Sequence, residues 1–212
     1  MTEIVAEISG NHGGSLENAL RLINAAKCAG ADAVKFQCFE PLRLAEKRAS
    51  HPYIQELAAG QSLVDLYKRT HTPKSWFPSM IKFAKQVGIH WFSSVFDPED
   101  VRFLEMHDCP RYKISAFEML DGNLINAVVA TKRPIIISVR PMDHVTVLLA
   151  TRYDDQPVMY GVSDHRNGIF VSNAPMVEKH IRLPDVETPD AAFSVTPSEF
   201  KKYVETIRRV SA

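Results

Sequence analysis

Two lysines, two histidines and a set of serines and carboxylates occur in this chain at the ends of short apolar runs. Lys35 lies in AVKFQ and Lys113 in RYKIS, each just after β-rich residues. Ammonium groups bring point charge and serine hydroxyls bring donors. Lys35 and Lys113 converging with Ser94, Ser115, Ser138 and Ser163 would therefore cradle a phosphate or carboxylate. Taken singly, each lysine reads as well as a snorkelled or salt-bridged group, and each serine as a strand-end hydroxyl bonded to its own backbone. His165 and His180 close two consecutive apolar runs, and two imidazoles with open positions suit a catalytic divalent ion. Asp164 is placed to orient His165. A lone histidine at such a place is more often structural. Glu118 is a candidate general acid or base, the alternative being a surface carboxylate ahead of a helix.

These residues need elements to bring them together, and the chain alternates strand and helix through its first two-thirds. Strands are predicted at residues 4–8, 33–39, 90–96, 111–116 and 134–139. Between them, Ser15 reads as an N-cap with Gly30 as the stop, and Thr72-Pro73 opens a helix that Gly88 ends. Asp97-Pro98 caps another helix, and residues 123–132 form a short one. Residues 42–72 read as irregular, with one helix around 62–69. Thr196-Pro197-Ser198-Glu199 is a capping box opening a last helix to about Val210. Alternation of this kind predicts a parallel sheet covered by helices. The candidate residues then fall at strand ends, where a β/α barrel carries its function. They are Glu7, Asn11 and His12; Lys35 and Gln37; Ser93 and Ser94; Lys113, Ser115 and Glu118; Ser138 and Arg140; Ser163, Asp164 and His165; and Glu178, Lys179 and His180.

The pattern changes after residue 139. Residues 145–151, 158–163 and 176–183 read as strands, but only residues 140–144 and 152–157 separate the first two from what precedes them. A parallel crossover takes a dozen or more residues, so these gaps predict hairpins. The sixth strand is expected to run antiparallel between its neighbours; otherwise residues 145–151 are no barrel strand at all. The fold class is thus α/β, a reduced (β/α)8 TIM-like barrel missing outer helices around strands 5–7, in a single domain over residues 1–212.

Bulk composition limits the partners. Lys plus Arg and Asp plus Glu number 25 each, so no global field draws nucleic acid or anionic lipid, and any anion site must be local. No basic leader opens the chain, and no apolar run nears the roughly 20 residues of a membrane helix. The three cysteines, Cys28, Cys38 and Cys109, lack metal-ligand spacing and read as reduced thiols of a cytoplasmic protein. A barrel short of outer helices exposes faces that invite homo-oligomerisation.

The stretches AEISGNHGGSLENALRLINAAKCAGADAVKFQ, RYKISAFEM, KRPIIISV, YGVSDHRNGI, VEKHIRL and TPSEFKKYVETIRR, in this order, resemble the N-acetylneuraminate (sialic acid) synthase family. The resemblance implies an enzyme, a carbon–carbon bond-forming transferase, that condenses phosphoenolpyruvate with N-acetylmannosamine or a related sugar aldehyde. The product would be a 2-keto-3-deoxy sugar acid. It implies Lys35 and Lys113 as phosphoenolpyruvate ligands, with Ser94, Ser138 and Ser163 adding hydrogen bonds. It implies His165 and His180 as ligands of manganese or magnesium, Glu118 as an active-site glutamate, and Asp190 near the sugar. Asn11 and Gln37 are further candidate substrate contacts.

Departures accompany the likeness. The family's glycine-serine-glycine after the fourth-strand lysine is here Ser115-Ala116-Phe117, with Ser115 as the substitute hydroxyl. The threonine-glycine after the fifth strand is Val139-Arg140-Pro141, which makes Arg140 a candidate phosphate contact. The sixth-strand segment has shrunk to LLATRYDDQP, with Tyr153 as a remnant, and the family's C-terminal antifreeze-like domain is not expected. Two other readings stand beside the synthase. One is a silent relative that binds a phosphorylated ligand or a partner; the other is a different metal-dependent aldolase or isomerase.

Overall fold

A computed structural model describes residues 2–50, 54, 60–139, 145–151, 159–165 and 174–211. The chain runs β1 (Glu3–Glu7), α1 (Leu16–Cys28), β2 (Ala33–Cys38), α2 (Pro41–Arg48), α3 (Leu63–Thr70), α4 (Phe77–Val87), β3 (His90–Val95), α5 (Pro98–Glu105), β4 (Tyr112–Ile114), α6 (Gly122–Ala130), β5 (Ile135–Val139), β6 (Val145–Thr151), β7 (Met159–Asp164), β8 (Met176–His180) and α7 (Pro197–Val210). The eight strands close a barrel in chain order, with β8 pairing β1. β6 is antiparallel to β5 and to β7, as the short gaps require. Thr151 lies opposite Ile135 and Val145 opposite Asp164, so β6 finishes at the end of the barrel where β5 begins. No helix is described between β5 and β8, in keeping with a reduced barrel.

Period-two alternation sorts the strand residues. Ile4, Ala6, Val34, Phe36, Trp91, Tyr112 and Ile114 face the helices and share one core with Leu22, Met80, Phe200 and Ile207. Val5, Ala33, Phe92, Ile136 and Met176 form a separate apolar cluster inside the barrel. That cluster floors the cavity, and the next inward residues up each strand are the charged and hydroxylated ones.

Local chemistry explains the helix ends. The Ser15 hydroxyl accepts from Asn18 N at 3.3 Å, and the Asp97 carboxylate accepts from Glu99 N at 2.9 Å. Gly88 closes α4 at φ +70°, a conformation that suits glycine. Glu199 Oε2 accepts from Thr196 N at 2.7 Å and completes the expected box.

Three expectations need correction. Residues 42–72 are not irregular at their start, because α2 forms with Glu40 as its cap, accepting from Leu42 N and Arg43 N at 3.2 and 2.8 Å. Glutamate is outside the usual capping set, so the helix start was not visible. Pro73 leads first into a 3₁₀ turn, Lys74–Trp76, and only then into α4. β8 stops at His180, after which Ile181 bridges to Val195. The cysteines are free thiols; burial pushes Cys109 up to about 12 and raises Cys38 as well. Among the described residues no helix is long and apolar enough to cross a membrane.

Gly161 marks the closest approach of β7 to β8. A Cβ there would stand 2.7 Å from Met176 O and 2.8 Å from Met176 Cβ. Backbone cannot yield as a flexible side chain would. Gly161→Ala is expected to cost roughly 1–3 kcal/mol, read as a lower urea midpoint with unchanged slope.

Candidate active site in the barrel mouth

Lys35, Lys113 and Glu178 lie on the inward faces of β2, β4 and β8, one layer above the apolar floor. Lys113 Nζ donates to both oxygens of Glu178, at 2.7 and 2.9 Å. Lys35 Nζ lies 3.0 Å from Glu178 Oε1 and also pairs with Glu7. Ser163 Oγ donates to Glu178 Oε1 at 2.7 Å. Glu7 Oε1 in turn accepts from Ser9 N and Ser9 Oγ, at 2.7 and 2.6 Å, and Gln37 Nε2 donates to Ser9 Oγ. Register explains the convergence: Glu7 is level with Lys35 and with His180, and Ser163 is level with Glu178.

Every member of this quartet is buried. Isolated charges would not survive there, so two carboxylates and two ammonium groups neutralise one another. Burial opposes the charge on Glu178, but Lys113 and Lys35 outweigh it and hold its carboxyl well below the usual range. Burial depresses Lys35, and Lys113 adds to that, against the pull of Glu178.

His165 and His180 stand beside the quartet, with ring centroids 5.2 Å apart, and Phe193 packs its ring against both. Burial lowers His165 to about 4 and drives His180 well below its ordinary value. The charges of Glu178, Lys35 and Lys113 act on both imidazoles, so the histidines and the lysines are electrostatic neighbours. Among the described residues His180 Nδ1 is buried without a hydrogen-bond partner, with Asp190 Oδ2 at 3.7 Å. Withdrawal from water pushes Asp190 up to about 6, although about a quarter of its side chain stays exposed.

Two adjacent imidazoles held neutral, one with an unsatisfied ring nitrogen, fit a divalent ion that completes its sphere with substrate or water. Among the described residues no cluster of three or more His, Cys, Asp or Glu side chains forms a full cage.

The remaining candidates divide. Ser94 and Ser138 are buried, Ser94 level with Lys113 and Ser138 next inward above Ile136. Asn11 is used up in the framework: its amide donates to Ile181 O and Ser194 Oγ, both at 2.9 Å, and accepts from Thr188 Oγ1. His12 is equally structural. It accepts from Gly14 N through Nδ1, bonds Thr72 through Nε2 and meets the Trp76 ring; burial lowers it to about 4. Ser115 bonds Glu118 and the Phe117 amide, and Glu118 is gripped by Arg48. Phe117 packs against the cluster of Ala45, Ile54 and Leu63. Lys179 pairs with Asp164 at 3.3 Å, so Asp164 answers a lysine as well as adjoining His165. Arg140 and Tyr153 lie outside the described residues.

Sequence reasoning placed Glu7 and Glu178 at strand ends without giving them a task. The signal was present, since Glu178 shares the inward face of β8 with His180. Arg48 was not singled out, because α2 itself was not foreseen.

Known proteins resemble this chain in sequence and in fold. The sequence model of the NeuB family matches residues 22–145 and 140–212, two segments that meet between β5 and β6. The chain is 32% identical to the pseudaminic acid synthase of Campylobacter jejuni subsp. jejuni serotype O:2 over 252 aligned positions, covering 99% of this chain and 74% of that protein. It is 30% identical to the pseudaminic acid synthase of Helicobacter pylori, covering 98% and 74%. An alignment of 252 positions against 212 residues means that the Campylobacter protein carries at least 40 residues with no counterpart here. The N-acetylneuraminic acid synthetase of Leptospira borgpetersenii serovar Hardjo-bovis, solved with citrate, superposes with a TM-score of 0.72 at 23% identity, over 99% of this chain and 84% of that one. At that identity the superposition speaks to the fold.

His12, His165 and His180 all sit below their unfolded values. Below pH 6.5 the unfolded chain takes up protons that the folded chain refuses, until about pH 4 at His12 and His165. Stability should therefore fall as pH drops across that window, by up to about 1.4 kcal/mol per pH unit for each imidazole. Urea titrations at pH 7, 6 and 5 should show a falling midpoint, and His12→Gln should flatten the trend.

Proposed function

Since this chain belongs to the NeuB family, we propose that it is a phosphoenolpyruvate-dependent synthase of a nonulosonic, 2-keto-3-deoxy sugar acid. The observation that carries the reading is the pair of buried ammonium groups, Lys35 and Lys113, meeting at Glu178 beside two neutral imidazoles. In the reaction, phosphoenolpyruvate, a sugar aldehyde and water give the keto acid and inorganic phosphate. Enol C3 bonds to the aldehyde carbon, whose oxygen gains a proton. Water adds at C2, the C2–O bond to phosphate breaks, and loss of a proton leaves the ketone.

Lys35 and Lys113 would take the donor's phosphate and carboxylate, with Ser94, Ser138 and Ser163 as hydroxyl donors. Glu7 and Glu178 keep both lysines extended into the cavity and cancel their charge before the anion arrives. A divalent ion, manganese or magnesium, held by His165 and His180 would supply Lewis acidity at the aldehyde oxygen. Asp190, beside His180, would face the sugar. The same reading makes the protein a cytoplasmic enzyme of small molecules. The helix-poor side between β5 and β8 is where a second copy would pack in a homo-oligomer.

The reversal of β6 favours a second reading, a relative that binds phosphoenolpyruvate without turnover. Phosphate release from phosphoenolpyruvate, measured with manganese across a panel of aldoses and N-acetylated hexosamines, separates the two. The synthase reading expects release that needs both an aldehyde and the metal, and a loss of at least about a hundredfold in Lys113→Ala. Calorimetric binding of phosphoenolpyruvate with no release on any aldehyde would replace it with the second reading.

A further inference from the structure

Arg48, at the end of α2, reaches the loop after β4. Its Nε donates to Glu118 Oε1 and its Nη2 to Glu118 Oε2, both at 2.8 Å. Nη2 also lies 3.4 Å from Ser115 Oγ, and Nη1 lies 3.3 Å from the Tyr67 hydroxyl. Three rings surround the guanidinium: Phe117 at 5.0 Å, Phe96 at 5.2 Å and Tyr67 at 5.9 Å. The Arg48 side chain is 11% exposed and that of Glu118 is 1% exposed. A buried, bidentate pair walled by rings holds one geometry, and a lysine could not reproduce its planar fork.

The position of this pair gives it a task. The floor of the cavity is apolar, and Lys113 lies one layer above it. Ser115 follows Lys113 by two residues toward the mouth, and Glu118 lies just beyond. Function in a β/α barrel sits at the carboxyl ends of the strands, so with the donor on the lysines an acceptor would lie toward this end of β4. Among the described residues, Arg48 donates twice and Ser115 once to the Glu118 carboxylate, so its orientation is set before any ligand arrives.

We propose that Arg48 is a positioning residue that fixes Glu118 and Ser115 as a rigid polar edge against which a polyhydroxylated aldehyde acceptor is oriented. Phe117 belongs to the same device, since its ring builds the wall behind Arg48. The inference rests on the synthase reading, and it assigns Glu118 to acceptor orientation.

The test uses whichever aldehyde supports metal-dependent phosphate release by the wild type. Arg48→Ala should lower kcat/KM for that aldehyde by about a hundredfold, the scale of a misplaced contact, with calorimetric affinity for phosphoenolpyruvate unchanged. Millimolar guanidinium chloride, far below denaturing levels, should restore much of the loss by filling the vacated space. Arg48→Lys should not recover it. Phe117→Ala keeps the ion pair but removes one wall, and should give a smaller loss in the same parameter if Arg48→Ala fails to fold. Retained kcat/KM in folded Arg48→Ala, or a matching fall in phosphoenolpyruvate affinity, would overturn the role of Arg48 alone. A wild type that releases no phosphate with any aldehyde would overturn the synthase reading and this inference together.

Discussion

The Glu178 carboxylate takes hydrogen bonds or ion pairs from Lys113, Lys35 and Ser163 inside a barrel floored by Val5, Phe92, Ile136 and Met176. Much else follows from this arrangement. An ammonium group in an apolar cavity without a counter-charge would give up its proton or leave. Glu178 and Glu7 supply the counter-charges that hold both lysine side chains in place, nearly dry. The residues around them serve the same end. Ser9 and Gln37 hold Glu7, and strand register sets Ser163 beside Glu178. An anion that enters meets donors already aimed, in surroundings where a hydrogen bond is worth more than in water.

The second determinant is the direction of β6. In a regular β/α barrel every strand delivers its final residues to the same face. Here β6 delivers its last residue, Thr151, beside the first residue of β5. The carboxyl end of β6 therefore contributes nothing to the mouth, and the polar side chains described there come from the other strands, Ser94 of β3 and Ser138 of β5 among them, and from the segment around Asp190 and Phe193. The family match likewise divides at this point, into segments that overlap at residues 140–145, the stretch that leads into β6.

How much of this could be read in advance depended on whether the signal was local. Strands, caps and the antiparallel sixth strand were legible because side-chain alternation, N-cap chemistry and gap length are properties of short segments. Ser15, Asp97 and Thr196 all cap as their types suggest. The pairing of Lys35 with Glu7 and of Lys113 with Glu178 was not legible, since it depends on register between strands far apart in sequence. Asn11 shows the opposite error. It stands where a ligand contact belongs, yet its amide ties the loop after β1 to the chain after β8. Arg48 was hidden by a helix whose cap is a glutamate, and its partner Glu118 could not be interpreted without it.

The meander formed by β5, β6 and β7 has a consequence for how the barrel assembles. Its paired strands are adjacent in the chain, so these contacts are low in sequence separation and their closure costs little chain entropy. Sealing β1 to β8, by contrast, brings Glu3 next to Met176 and must wait until nearly the whole chain is in place. The stretch from β5 to β7 is thus suited to serve as an early nucleus, while the seam that sets Glu7 level with His180 closes last. The catalytic cavity would then be among the final features to take shape during folding.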